Sequence, residues 1–241
     1  MSNKTQNRVS ALLKVALAAS VVIAIAQFAV AQLVLDDFST GAYQKTLTSG
    51  ADTNIQYGSM VGDSRETTLN MCPPAQCNAH GLAFNQPTSF QIKGKTKSAP
   101  AALVYSSGYK TDGYLGVFYG KSTPLNLDLA SSYDRIRLNF DGADEFVNFD
   151  IVVYTNGLYS ASGCNLADRT YGKPFSVDFP FTDFTPGNGV AGADFRDLTQ
   201  IALLFADSEG PHGGEDFAVT SVEAIPTGAP KADITCHGYA K

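Results

Sequence analysis

The feature that most constrains this chain is what it lacks. Beyond residue 31 no stretch sustains a 3.6-residue apolar period. Short runs rich in β-branched and aromatic residues recur instead, separated by Gly, Pro, Asn and Asp. Strands are expected near 33–38, 55–60, 65–70, 81–93, 101–107, 113–119, 125–129, 134–140, 146–155, 174–181, 200–206 and 216–225. Short helical turns are expected at "DLASSYD" and at "DFRDLTQ", where Asp194 is placed as a cap. Many short strands with turn signals point to an all-β, antiparallel β-sandwich of jelly-roll type.

The first 31 residues read as a separate element. Lys4, Arg8 and Lys14 precede the apolar run from Val15 to Val30, and Ala29-Val30-Ala31 forms a small-x-small cleavage signal. The run is short for a membrane span. A secretory signal peptide over 1–31 is therefore expected, then a sandwich over 32–226 and a loop-like tail over 227–241. The expected location is secreted, periplasmic or extracellular.

Removing the leader leaves 14 basic against 23 acidic residues, a net of −9. Such a chain is repelled by nucleic acid and by anionic membrane. Its 210 residues suit one β domain with a real core. All four cysteines lie in this part. An even count in an exported chain argues for disulfides. Of the three pairings, Cys72–Cys77 with Cys164–Cys236 is favoured. A zinc site using His80 or His237 lacks the usual ligand spacing.

The segment "DRIRLNFDGADEFVNFDIVVYT" (134–155) reads as a hairpin turning at Gly142-Ala143. Ile136, Leu138 and Phe140 share one side, as do Val147, Phe149, Ile151 and Val153. The opposite side then carries Arg135, Arg137, Asn139, Asn148, Asp150 and Tyr154, with an Arg facing a carboxylate across the strands. Arginine and asparagine donors, an aspartate acceptor and a flat tyrosine ring suit a glycan. The same row also fits a solvated sheet face. Tyr105, Tyr109, Tyr114, Phe118 and Tyr119 gather around a second hairpin, either as sugar platforms or as core. His212, in the Gly-rich loop 207–216, is a further candidate contact.

The segments "LVLDDFST", "GDSRETTLNM", "LNLDLASSYDRIRLNF", "KPFSVDFPFTDF", "DFRDLTQIALLF" and "DFAVTSVEAI" form a series. It resembles the galactose-binding-like jelly rolls of secreted bacterial proteins and carbohydrate-binding modules. The complex-I assembly-factor domain is similar in segment order. The likeness covers roughly residues 33 to 225. It implies two packed antiparallel sheets, with ligands on the concave face or at loop tips. It also implies that a structural calcium can join the first and last strands, for which Asp36, Asp37, Asp216 and Glu223 offer oxygen ligands. No other cofactor is expected.

Enzyme signatures are scarce. There is no G-x-S-x-G, H-E-x-x-H or Walker loop. The expected function is non-catalytic binding of an extracellular carbohydrate or surface partner. One alternative is a structural or interaction protein of the cell envelope. Another is a jelly-roll polysaccharide lyase, although the Gln-x-His triplet of the best-known alginate lyases is missing.

Overall fold

A computed structural model describes residues 30–71, 87–108, 113–144, 147–166, 173–187, 191–206 and 216–236. The compact unit runs from Gln32 to Lys241, and Met1–Ala31 form a unit of their own. Residues 1–29 of the leader, the Cys72–Cys77 pairing, Tyr109 and the three histidines lie outside the described residues. Among the described residues no helix is long and apolar enough to cross a membrane.

Fifteen strands are described: β1 (Leu33–Asp36), β2 (Tyr43–Leu47), β3 (Ala51–Tyr57), β4 (Ser64–Met71), β5 (Thr88–Lys93), β6 (Ala102–Ser106), β7 (Gly113–Tyr119), β8 (Tyr133–Asp144), β9 (Asn148–Thr155), β10 (Leu158–Asn165), β11 (Phe175–Pro180), β12 (Thr185–Pro186), β13 (Gln200–Ala206), β14 (Asp216–Pro226) and β15 (Ile234–Thr235). They form two sheets. The first runs β15-β11-β8-β14-β6-β5-β2, with β1 also on β14. The second runs β12-β10-β9-β13-β7-β4-β3. All pairings are antiparallel except the short β11–β15 contact. The fold is an antiparallel β-sandwich of jelly-roll type.

Most expected strands are present, with bounds moved by a few residues. β2, β10 and the two-residue β12 and β15 were not expected, and the part of the expected strand 81–93 before residue 87 lies outside the described residues. The "YSASGC" of β10 carries small residues of low strand propensity, and β9 beside it supplies the pairing that propensity does not. The expected strand at 125–129 is a single bridge, Leu127↔Leu198. Both expected turns form as single turns: the Tyr133 N–H donates to the Leu129 carbonyl at 2.9 Å, and the Asp197 N–H to the Asp194 carbonyl at 3.0 Å. Asp194 also acts locally, accepting the backbone N–H of Arg196 at 2.9 Å.

The hairpin over 134–155 does not form. β8 lies in the first sheet between β11 and β14, and β9 lies in the second between β10 and β13. Gly142 and Ala143 are strand residues that pair with Ala218 and Phe217. The inward sets are as expected, because Ile136, Leu138, Phe149, Ile151 and Val153 are all buried. They meet face to face across the core rather than side by side. The Phe140 and Phe149 rings sit 5.6 Å apart, and Phe149 continues to Phe179 and Phe205 at 5.5 and 5.7 Å. Alternation says which side chains point inward. It does not say which strand supplies the hydrogen bonds.

The two layers are tied at one edge. Cys164, in β10 of the second sheet, is bonded to Cys236, just after β15 of the first. This is the expected pairing. The C-terminal segment is also clasped by polar contacts. Arg137 grips both oxygens of Asp178, Nε at 2.7 Å and Nη2 at 3.0 Å, and donates to the Pro230 carbonyl at 2.8 Å. Arg135 donates to the Ala229 and Pro230 carbonyls at 2.7 and 2.9 Å. Its Nε lies 3.0 Å from Asp178 but off the hydrogen-bond axis. Asp178 also accepts the N–H of Ala232 at 2.8 Å. Arg137→Met is expected to lower unfolding free energy by about 2 kcal/mol, the order of lost hydrogen bonds to a charged group. Urea melts would register it, and hydrogen exchange should quicken first over 229–236.

Candidate functional site

The polar row expected from the sequence is divided between two opposite outer faces. Arg135, Arg137 and Asn139 point outward from the first sheet, while Asn148, Asp150 and Tyr154 point outward from the second. Arg135 and Arg137 therefore do not face Asp150 across a strand pair, because β8 and β9 lie in different sheets. The first trio is committed to structure. The arginines hold Asp178 and the C-terminal segment. Asn139 donates to Ser221 at 2.8 Å and accepts from Ser176 at 2.7 Å.

The four carboxylates expected to hold calcium do not converge either. Asp36 is buried and bonded to Arg65 and Tyr119 at 2.6 and 3.0 Å. Asp37 accepts from Ser39 at the surface. Glu223 accepts from Ser221 at 2.8 Å. Asp216 lies six residues along β14 from Val222, the partner of Asp36, roughly 20 Å away along the strand. Among the described residues no three His, Cys, Asp or Glu side chains gather into a metal-binding group. The donor set does not fit the cation.

The second sheet is different. Its register aligns outward side chains in rows across the strands. One row reads Ala161, Val152, Ala202, Phe118, Glu66 and Ile55, from β10 to β3. The next reads Gly163, Asp150, Leu204, Gly116, Thr68 and Thr53. Tyr159, Tyr154 and Gln200 stand on one side of these rows. Asn148, Tyr114 and Asn70 stand on the other. Each outward position is interleaved with a core residue, such as Leu115, Val117 and Tyr119 in β7. Small side chains at Ala161, Gly163, Ala202 and Gly116 run along these rows between the aromatic groups; of the four only Ala161 is partly exposed, and Ala202 is fully buried. Six strands span about five spacings, roughly 24 Å.

Glycine seats two of the aromatic groups. A Cβ on Gly116 would lie 2.6 Å from the Phe118 ring and 3.4 Å from that of Tyr114. Both rings therefore lean over the β7 backbone. A Cβ on Gly187 would fall 1.7 Å from the Tyr159 ring, which rests on that backbone. Tyr159 and Tyr154 are neighbours, with ring centroids 5.9 Å apart. They flank the Asn156-Gly157 turn, whose positive φ values of 48° and 84° suit a tight hairpin.

The described charged groups of this face include Asp150 on β9 and a pair beside β7 and β4. Lys121 is ion-paired with Glu66, and its ammonium sits 4.5 Å from the Phe118 ring centroid. Burial pushes the Tyr154 phenol up from its ordinary range, Tyr159 adds to this, and Lys121 opposes it. The face thus joins flat apolar rings to a small set of amide, carboxylate and ammonium groups. That mixture can stack on apolar ring faces while hydrogen-bonding hydroxyls.

Of the six expected residues, Asn148, Asp150 and Tyr154 share this face. Tyr114 and Phe118, expected as either platform or core, face outward here, whereas Tyr105 and Tyr119 are core. Sequence reasoning missed Tyr159, Gln200, Glu66 and Lys121. The signal for Tyr159 was present. In "YTNGLY" an Asn-Gly turn places Tyr154 opposite Tyr159.

No family model matches the chain, and no curated protein matches it. Solved structures do. One is a family 11 carbohydrate-binding module from Clostridium thermocellum, in complex with a β-1,3-1,4-mixed-linked tetrasaccharide. It is 15% identical over 82% of this chain and 97% of that one, with a TM-score of 0.40. A solution structure of the module CtCBM11 is 15% identical over 85% and 99%, at 0.39. An exo-β-agarase is 14% identical over 83% of this chain but only 25% of its own, at 0.42.

Proposed function

We propose that this chain is an exported, non-catalytic carbohydrate-binding protein that takes a glycan chain on the outer face of the β12-β10-β9-β13-β7-β4-β3 sheet. One observation carries the reading. Tyr154, Tyr159, Tyr114 and Phe118 all point outward from one sheet and are all partly exposed. The two aromatic groups are separated by two strand spacings from Tyr154 and three from Tyr159, about 10–14 Å. That distance suits an extended oligosaccharide lying across the strands better than a single sugar. Side chains such as Asn148, Gln200 and Asp150 supply directional hydrogen bonds.

Binding without turnover is the reading for the described acids of this face. Asp150 and Glu66 are three strands apart, again about 14 Å, beyond the roughly 5–9.5 Å between the carboxylates of a glycosidase. Glu66 is also held by Lys121.

The test is retention on a glycan array. Tyr154→Ala with Tyr159→Ala should weaken binding roughly tenfold or more, since each stacked ring contributes about 0.5–1.5 kcal/mol beyond burial. Arg137→Ala, on the opposite face, should keep full binding. The reverse outcome would move the glycan to the first sheet. An array silent for the unaltered protein would leave the envelope-interaction reading in its place.

A further inference from the structure

The structure also bears on how the exported chain begins. Ala31 and Gln32 meet where the compact unit starts, and the cleavage signal Ala29-Val30-Ala31 ends at the same junction. Val30, Ala31 and Gln32 are exposed. The first registered pair of the sheet is Leu33↔Ala224, so Gln32 stands just outside the β1 ladder. Cleavage after Ala31 would leave the α-amine and carboxamide of Gln32 on one residue at the surface, free to turn toward each other.

We propose that Gln32 is a modification site, converted after export to pyroglutamate. The proposal rests on the leader reading and is independent of the glycan reading. The chemistry needs no co-reactant. The α-amine nitrogen attacks the side-chain Cδ, a C–N bond closes a five-membered lactam, and the Cδ–Nε2 bond breaks. Nε2 leaves as ammonia, taking up a proton from the attacking amine. Nothing is oxidised or reduced. The product has lost the positive charge of an α-ammonium, a group that otherwise titrates near pH 8. It also presents no free amine to an aminopeptidase at the start of β1, which pairs with β14 at Val34↔Glu223.

The experiment is to express the full chain in a secreting host and recover the exported protein. Intact mass, Edman sequencing and digestion with pyroglutamyl aminopeptidase are then applied. The expected product is one ammonia lighter than a chain starting at Gln32 and blocked to Edman chemistry. The aminopeptidase should open it to a sequence starting Leu33-Val34-Leu35. A Gln32→Ser variant should read Ser at the first cycle, which assigns the block to this side chain. A readable Gln32 after prolonged incubation would overturn the proposal while keeping the cleavage position. A start at any other residue would overturn both.

Discussion

Replacing Arg65 with methionine is expected to cost about 3–5 kcal/mol of unfolding free energy, the range for removing one partner of a buried ion pair. Arg65 occupies an inward position of β4, in line with Thr67, Leu69 and Met71, and its side chain is fully buried. Its guanidinium bonds Asp36 from the opposite sheet at 2.6 Å, Gln56 at 3.2 Å, and the Thr40 and Gly41 carbonyls at 2.7 and 2.9 Å. Asp36 also accepts from Tyr119 and the Phe38 backbone. Methionine would fill most of the space but leave a buried carboxylate without its cation. A double change, Arg65→Met with Asp36→Leu, should recover much of the loss, because it removes the stranded charge as well.

The pH dependence follows from the same pair. Burial pushes the Asp36 carboxyl above its ordinary value, and Arg65 pulls it down. In Arg65→Met the Phe38 and Tyr119 hydrogen bonds still pull the carboxyl down, but the pull of Arg65 is gone and burial, the largest cause, dominates, so the native state holds its proton to higher pH than the unfolded chain does. The deficit should then shrink as pH falls through the raised pKa toward the ordinary carboxylate value, and grow as pH rises through it. Urea denaturation of both variants and the unaltered protein across pH 4–8 would measure this. A cost under about 1 kcal/mol, or a deficit that deepens on acidification, would mean that Asp36 is not a buried charge held by Arg65.

The sequence and the structure agree on orientation and part over neighbours. Strand alternation in "RIRLNF" and "NFDIVVY" is enough to point Leu138 and Phe149 inward and Arg137 and Asp150 outward. The inference that these strands pair came from proximity in the chain. A jelly roll defeats it, since successive strands can pass to opposite layers and both apolar sets still find burial. The Gly142-Ala143 step reads as a turn because glycine and acidic residues suit one. In place it extends β8, whose pairing with β14 shifts register nearby. The Asn-Gly step fourteen residues later was the stronger hairpin signal. Arg65 was illegible for a different reason. An inward arginine is tolerable only with an anion across the core, and Asp36 lies 29 residues away in chain order. The Tyr114–Phe118 group was visible as aromatic density. Only the register of β7 against β13 and β4 shows which of its members face out.

Removing the Cys164–Cys236 disulfide, by changing both residues to serine, is expected to lower stability by about 4 kcal/mol in the chain-entropy account. The bond closes a loop of 72 residues and both cysteines are buried. For a domain of this size that corresponds to a melting temperature lower by roughly 10 °C. The polar clasp makes the source of the effect measurable. If the bond acts mainly by restricting the unfolded chain, the native segment 229–236 stays held by Arg135, Arg137 and Asp178. Its hydrogen exchange in the native state should then change little while the global transition falls. If the bond instead holds the segment down, exchange there should rise to the unprotected rate in the double serine variant. Adding Arg137→Met separates the cases further, because two devices acting on one segment are coupled. In the first case its cost of about 2 kcal/mol adds to that of the disulfide; in the second it shrinks, since the segment has already left. An unchanged melting temperature in the serine variant would show that the two sheets meet at this edge through packing and the clasp alone.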